Sequence, residues 1–183
     1  VTSEGFHIYG LDPYQYYSAG YACYLSNTGS QQDSWDIWDN NMPVTNVENG
    51  NIIGYKYFGF GGLDKDRKGL KAFKGTGPRN KTAFNLFLTP KSQGAIRVSV
   101  WIDGPWDNET WKGKKIGEIN VPANSAQEIT KFTIDVSATI DRLDKKHAIF
   151  LVAEGPDKGG LFDLAGLGFS SKKKKIVRPV VPT

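Results

Sequence analysis

One short stretch holds the residue types that bind or cleave polar ligands: Trp106, Asp107, Asn108, Glu109 and Trp111. Aromatic planes cover apolar faces, while carboxylates and amides bond with polar groups. An aromatic, acidic loop of this kind suits a polar ligand. Asp103 adds a nearby acid, which opens general acid–base cleavage as an alternative chemistry. An acidic loop is more often solvated, or hydrogen-bonds a ligand, than catalytic. Trp106 and Trp111 stand out because no aliphatic residue neighbours them before Ile116.

Two further sets belong with this loop. Arg97 and Trp101 share one face of the strand that leads into it. Trp35 and Trp38 stand among Asp33, Asp36, Asp39, Asn40 and Asn41. Three residues apart, they meet on one face if the segment takes a helical turn. Each Trp is equally well explained as an anchor tying a long loop to the core.

Other catalytic signals are weak. His7 and His147 are the two histidines and have no metal-ligand spacing. His147 opens an apolar strand, where a satisfied core histidine is the expectation. Cys23 is the sole cysteine, so no internal disulfide forms, and an inert core thiol is expected. No serine sits in a nucleophile-elbow pattern. The glycines of residues 61–82 match no phosphate-binding loop.

The elements that position these residues read as strands. Ile96, Val98, Val100 and Ile102 alternate with Arg97, Ser99, Trp101 and Asp103. That period of two sends the aliphatics to one face and the mixed set to the other. Gly104-Pro105 is expected to end this strand. Further strands are predicted over 21–25, 52–60, 84–89, 115–121, 129–136, 147–153 and 161–169. Phe84, Leu86 and Leu88 should point inward. The run 147–153, HAIFLVA, predicts burial on both faces. The tyrosine-rich start is expected to pack across an edge. Short strands at short spacing, without a long helix, predict an all-β sandwich of jelly-roll type.

Composition narrows the partners. The chain has 183 residues, 39% of them hydrophobic, enough for one cored domain. The formal charge of +4 comes from a tail in which Lys172 to Lys175 and Arg178 follow Phe169 with no acid. The other 18 basic side chains face 19 acidic ones, which argues against nucleic acid as a partner. The tail reads as a solvated linker. No apolar run approaches a membrane span. The absent initiator Met suggests a processed product or a fragment.

The order of four motifs resembles carbohydrate-binding module family 6 and its galactose-binding-like relatives. They are NVENGNIIGYKYFGFG, AFNLFLTPKSQGAIRVSVWIDGP, KKIGEINVP and HAIFLVAEGPDKGGLFDLAGLGF. The likeness covers residues 46–169. Residues 1–45 would then be an extension with the first strand, and 170–183 a linker tail. The resemblance implies a galactose-binding-like β-sandwich attached to a secreted or cell-surface bacterial glycoside hydrolase, such as a family 43 enzyme. It also implies a loop-end cleft with two aromatics and an Asn. Here Asp163 stands at the Asn position, Ile52 at one aromatic position, and no Trp follows Val121-Pro122. The family's structural calcium uses acids from the first and last strands. Residues 21–25 contain none, and Ala165 stands at the last-strand position. No cofactor is expected; calcium held elsewhere, by Asp36, Asp39, Asn40 or Glu48, stays open.

The expected function is non-catalytic binding of a plant polysaccharide or oligosaccharide, of xylan or arabinoxylan type, beside the catalytic domain of the same polypeptide. The candidate ligand residues are Trp106, Trp111, Asp107, Asn108, Glu109, Asp163, Trp35, Trp38, Trp101 and Arg97. One alternative is a structural module that packs on the catalytic domain without binding sugar. The other is a small hydrolase using Asp103, Asp107 or Glu109.

Overall fold

The computed structural model describes residues 11–25, 30–31, 42–60, 81–143, 146–156, 160–172 and 174–179. Two antiparallel sheets pack face to face. Among the described residues one sheet orders its strands β2-β5-β10-β7-β8. These are Tyr24–Leu25, Ile52–Gly59, Lys146–Glu154, Ile96–Asp107 and Lys112–Val121. The other runs β3-β4-β11-β6-β9, with β1 also paired to β11. These are Ser30–Gln31, Val44–Val47, Phe162–Ser170, Ala83–Pro90 and Thr130–Asp135, with β1 at Tyr17–Ser18. One four-residue helix, Ser137–Ile140, follows β9.

The period-two pattern sets the register. Ile96, Val98, Val100 and Ile102 are buried in the core, as are Phe84, Leu86 and Leu88. From β10, Ile149, Leu151 and Ala153 enter the same core. Ala148 and Phe150 join a second apolar cluster on the outer face of the five-stranded sheet. The run 147–153 is therefore covered on both faces at its middle, as its unbroken apolar composition predicts, while His147 and Val152 keep partial exposure.

The strand carrying Trp101 extends past Gly104-Pro105 to Asp107. Its pairing with β8 shifts register between Ile102 and Asp107, and Asp103 has φ +66°. This irregularity accommodates Pro105, which cannot donate to a regular ladder.

The predicted strand over 21–25 shortens to β2, Tyr24–Leu25, because Tyr21 ends a 3-10 turn at Ala19–Tyr21 that follows β1. Leu11 exchanges backbone hydrogen bonds with Tyr57 and Gly59 of β5, at 2.7 and 2.9 Å. Tyr17 pairs with Leu167 of β11. The tyrosine-rich segment thus joins both sheets. Cys23 departs from expectation: it is exposed, with Sγ 3.2 Å from the Lys56 N–H nitrogen. It stands just before β2, a two-residue strand at the sheet edge, outside the core.

Burial holds several tyrosines neutral. It pushes Tyr16 up to about 12, with Arg178 opposing. Burial also raises Tyr17, helped by the Asp12 and Tyr21 charges, and raises Tyr55, whose hydroxyl donates to the Ala19 carbonyl at 3.0 Å. A raised folded value means the stabilisation is complete below the unfolded value of about 10 and fades as pH climbs through the folded one. Tyrosinate absorbance should therefore show these rings ionising together with unfolding. Their ionisation in a still-folded protein near pH 10 would contradict this burial.

Candidate functional site

The outward residues of β7 are Arg97, Ser99, Trp101 and Asp103. Cross-strand pairing extends each into a row. One row runs Tyr24, Gly54, Phe150, Trp101 and Lys115 across all five strands. The next holds Ile52, Val152, Ser99 and Glu118. Beyond it stand Glu154, Arg97 and Asn120.

The first row forms an apolar band. Trp111 folds back from the tip loop and meets Phe150 edge-on, with ring centres 5.7 Å apart. Tyr24 lies 6.4 Å from Trp111 and 6.2 Å from Phe150. Trp101, Tyr57 and Val152 pack against the same cluster while staying half-exposed. The Trp101 Nε1–H is buried and meets no acceptor among the described residues. A buried donor without an acceptor costs about 1–3 kcal/mol.

Charges border the band. Arg97 bonds Glu154, Nε to Oε2 at 3.0 Å, and reaches Glu118 at 3.2 Å. Lys115 closes on Glu118 at 3.2 Å. Arg97 and Glu154 also line an adjoining groove of about 510 Å³ at the loop ends, with Asn49, Asn120 and Pro122. No aromatic side chain lines it. At the other border, the Asp103 carboxylate lies 2.9 Å from His147 Nδ1, and Lys146 sits 4.9 Å over the Tyr57 ring.

The tip loop is held by Asn108. Its Oδ1 accepts from the Thr110 and Trp111 amides at 2.9 and 2.7 Å, and its own amide donates to the Trp111 carbonyl at 2.8 Å. These bonds aim Trp111 at the band. Trp106 is left 44% exposed, and Asp107 and Glu109 are exposed beside it.

The structure therefore brings Trp101, Trp111 and Arg97 onto one sheet face, with Trp106, Asp107, Asn108 and Glu109 at its tip. Asp163 does not join them. It belongs to β11 of the other sheet, accepts from the Asn46 amide at 2.8 Å and pairs with Lys91 at 3.0 Å. That place is at the loop end where β7 starts, whereas the tip follows the end of β7. Trp35 and Trp38 lie outside the described residues, as do Asp36, Asp39 and Asn40. Of the acids proposed for cleavage, Asp103 is taken up by His147, and Asp107 and Glu109 stand on the tip. Among the described residues, no three His, Cys, Asp or Glu side chains are grouped to hold a metal.

Tyr24, Tyr57, Phe150, Lys115, Glu118 and Glu154 complete the face, and the sequence pattern did not single them out as ligand residues. Phe150 was findable, since it alternates with the core positions of β10. Tyr24 was not, because only its pairing with Gly54 places it there.

The two-sheet antiparallel sandwich matches the fold of solved family 6 carbohydrate-binding modules. No protein-family model and no curated protein matches the chain. Among solved structures, it is similar to a glycoside hydrolase family 43 arabinoxylan arabinofuranohydrolase from Bacillus subtilis in complex with cellotetraose. That match has a TM-score of 0.60 and 22% identity, and covers 89% of this chain but 28% of the other. A family 6 carbohydrate-binding module from Clostridium cellulolyticum in complex with xylose gives 0.56 and 21%, covering 87% and 98%. A β-1,3-glucan binding module of the same family from Bacillus halodurans gives 0.54 and 16%, covering 86% and 96%. At these identities the likeness is one of fold.

Proposed function

We propose that the chain is a non-catalytic carbohydrate-binding module. Its ligand would lie along the outer face of the five-stranded sheet, reaching the tip loop. The observation that carries this reading is the set of Tyr24, Trp101 and Trp111, which pack around the buried Phe150 and keep part of their rings exposed. Aromatic faces take the C–H faces of pyranose rings, and the charged border reads their hydroxyls. Five strands at about 4.8 Å spacing give a band roughly 19 Å across, room for a short oligosaccharide. The loop-end groove lacks an aromatic side chain, so it supports sugar stacking less well. The solved structures of this fold that carry xylose or cellotetraose support a plant-type ligand. On this reading the module belongs to a secreted bacterial glycoside hydrolase and tethers it to xylan-type polysaccharide, raising local substrate concentration.

Calorimetry with xylohexaose and cellohexaose should give measurable binding to the isolated chain. Trp111→Ala should weaken it at least tenfold, about 1.4 kcal/mol. Trp101→Phe, which keeps an aromatic ring but removes the N–H, should weaken it less. The second reading is a module that buttresses a catalytic domain without binding sugar. It is favoured by Trp101, Trp111 and Phe150 packing on one another. Absence of binding heat and of indole fluorescence change with both hexaoses would select that second reading.

A further inference from the structure

The outer face of the six-stranded sheet carries a surface that the sugar band does not use. The tail after Phe169 was expected to be a free linker, yet part of it is docked. Ile176 is only 5% exposed. It packs over Gly168 of β11, where an added Cβ would lie 2.7 Å from its Cδ1. Before it, the chain closes a turn: the Ser171 amide donates to the Lys174 carbonyl at 2.8 Å, and the Lys174 amide returns to Ser171 at 3.2 Å. After it, Arg178 comes near enough to Tyr16 to oppose the rise in that hydroxyl's pKa. Tyr16 itself packs edge-on against Phe87, 5.1 Å between centres.

This arrangement holds Lys172, Lys174 and Lys175 exposed in one pinned turn. None of their side chains forms an ion pair among the described residues. No acid follows Asp163 in the sequence. Lys174 and Lys175 are adjacent, and the Ser171–Lys174 backbone bonds bring Lys172 into the same turn, so the three cations share one short stretch of surface.

We propose that this turn is a docking site for uronate carboxylates on an acidic polysaccharide. Lysine ammoniums are point charges with rotatable donors. They suit carboxylates spaced along a flexible polymer rather than a single bidentate group. The choice of a polysaccharide over other polyanions rests on the carbohydrate-binding reading of the fold.

The test is affinity electrophoresis of the full chain in gels holding polygalacturonate, uncharged xylan or inorganic polyphosphate. Polygalacturonate should retard the protein, and its affinity should fall roughly tenfold between 50 and 200 mM salt. Replacing Lys172, Lys174 and Lys175 together by Gln should lower that affinity at least tenfold and leave xylan binding unchanged. Ile176→Ser keeps every charge but unpins the turn, and should cost severalfold. Wild-type binding of polygalacturonate by the Gln variant would overturn the site. Wild-type binding by Ile176→Ser would overturn the pinned geometry and leave a free lysine run. Equal retardation by polyphosphate at matched charge would overturn the uronate assignment. Loss of xylan binding alone sinks the sugar band and spares this site; loss of polygalacturonate binding alone does the reverse.

Discussion

Phe169→Ala should lower the unfolding free energy by about 3–5 kcal/mol, the range for deleting a buried phenyl ring. Phe169 is fully buried and links the two sheets. Its ring centre lies 5.7 Å from Phe58 and 5.3 Å from Phe60, which belong to the five-stranded side. It lies 5.1 Å from Phe84 on its own sheet. The backbone around it is also fixed, since its amide donates to the Pro13 carbonyl at 2.8 Å. The site therefore has little freedom to collapse, which puts the cost toward the upper end. Small domains hold about 5–15 kcal/mol in all, so the loss is a large share. Urea unfolding should show a lower midpoint with an unchanged slope. A loss under about 1 kcal/mol would mean that the sheets are not tied at this ring.

Gly113→Ala should act on the tip loop rather than on the core. A Cβ there would meet the Gly104 carbonyl, with its carbon at 2.6 Å and the Trp106 carbonyl oxygen at 2.7 Å. These are backbone atoms, so no side chain can swing aside. The β7–β8 hairpin must open, at about 1–3 kcal/mol for overpacking. The opening falls between Trp106 and Trp111, so the indoles should move together. Sugar binding should drop at least tenfold, and both indole side-chain resonances should shift. Lys131→Ala, at an exposed position on β9 of the other sheet, should leave both fold and sugar binding unchanged and serves as the control. Full sugar affinity in a folded Gly113→Ala protein would mean that the tip does not shape the site.

Local periodicity made the strands legible. Ile96 to Ile102 alternate because one face of β7 meets the core, and 147–153 is unbroken because both faces are covered. The binding face was legible only through Trp101, Arg97 and the tip. Its remaining members come from cross-strand register: Tyr24 reaches the band by pairing with Gly54, and Lys115 by pairing with Trp101. Asp163 looked available because its partners, Lys91 and Asn46, are far away in sequence. Cys23 looked buried because its neighbours are apolar, yet it precedes a strand only two residues long that lies at a sheet edge. The tail looked like a linker because one buried isoleucine among lysines leaves no periodic trace.

The position of β11 has a consequence for how the chain is made. It pairs with β1, β4 and β6 at the middle of its sheet, yet among the described strands it is the last to be translated. At 5–20 residues per second, roughly ten seconds separate the emergence of β6 from that of β11. Throughout that interval the edge of β6 that β11 will pair has no partner, and Phe84, Leu86 and Leu88 have nothing from β11 to pack against. During synthesis the six-stranded sheet therefore keeps an open, apolar edge on β6 and closes there only when β11 emerges.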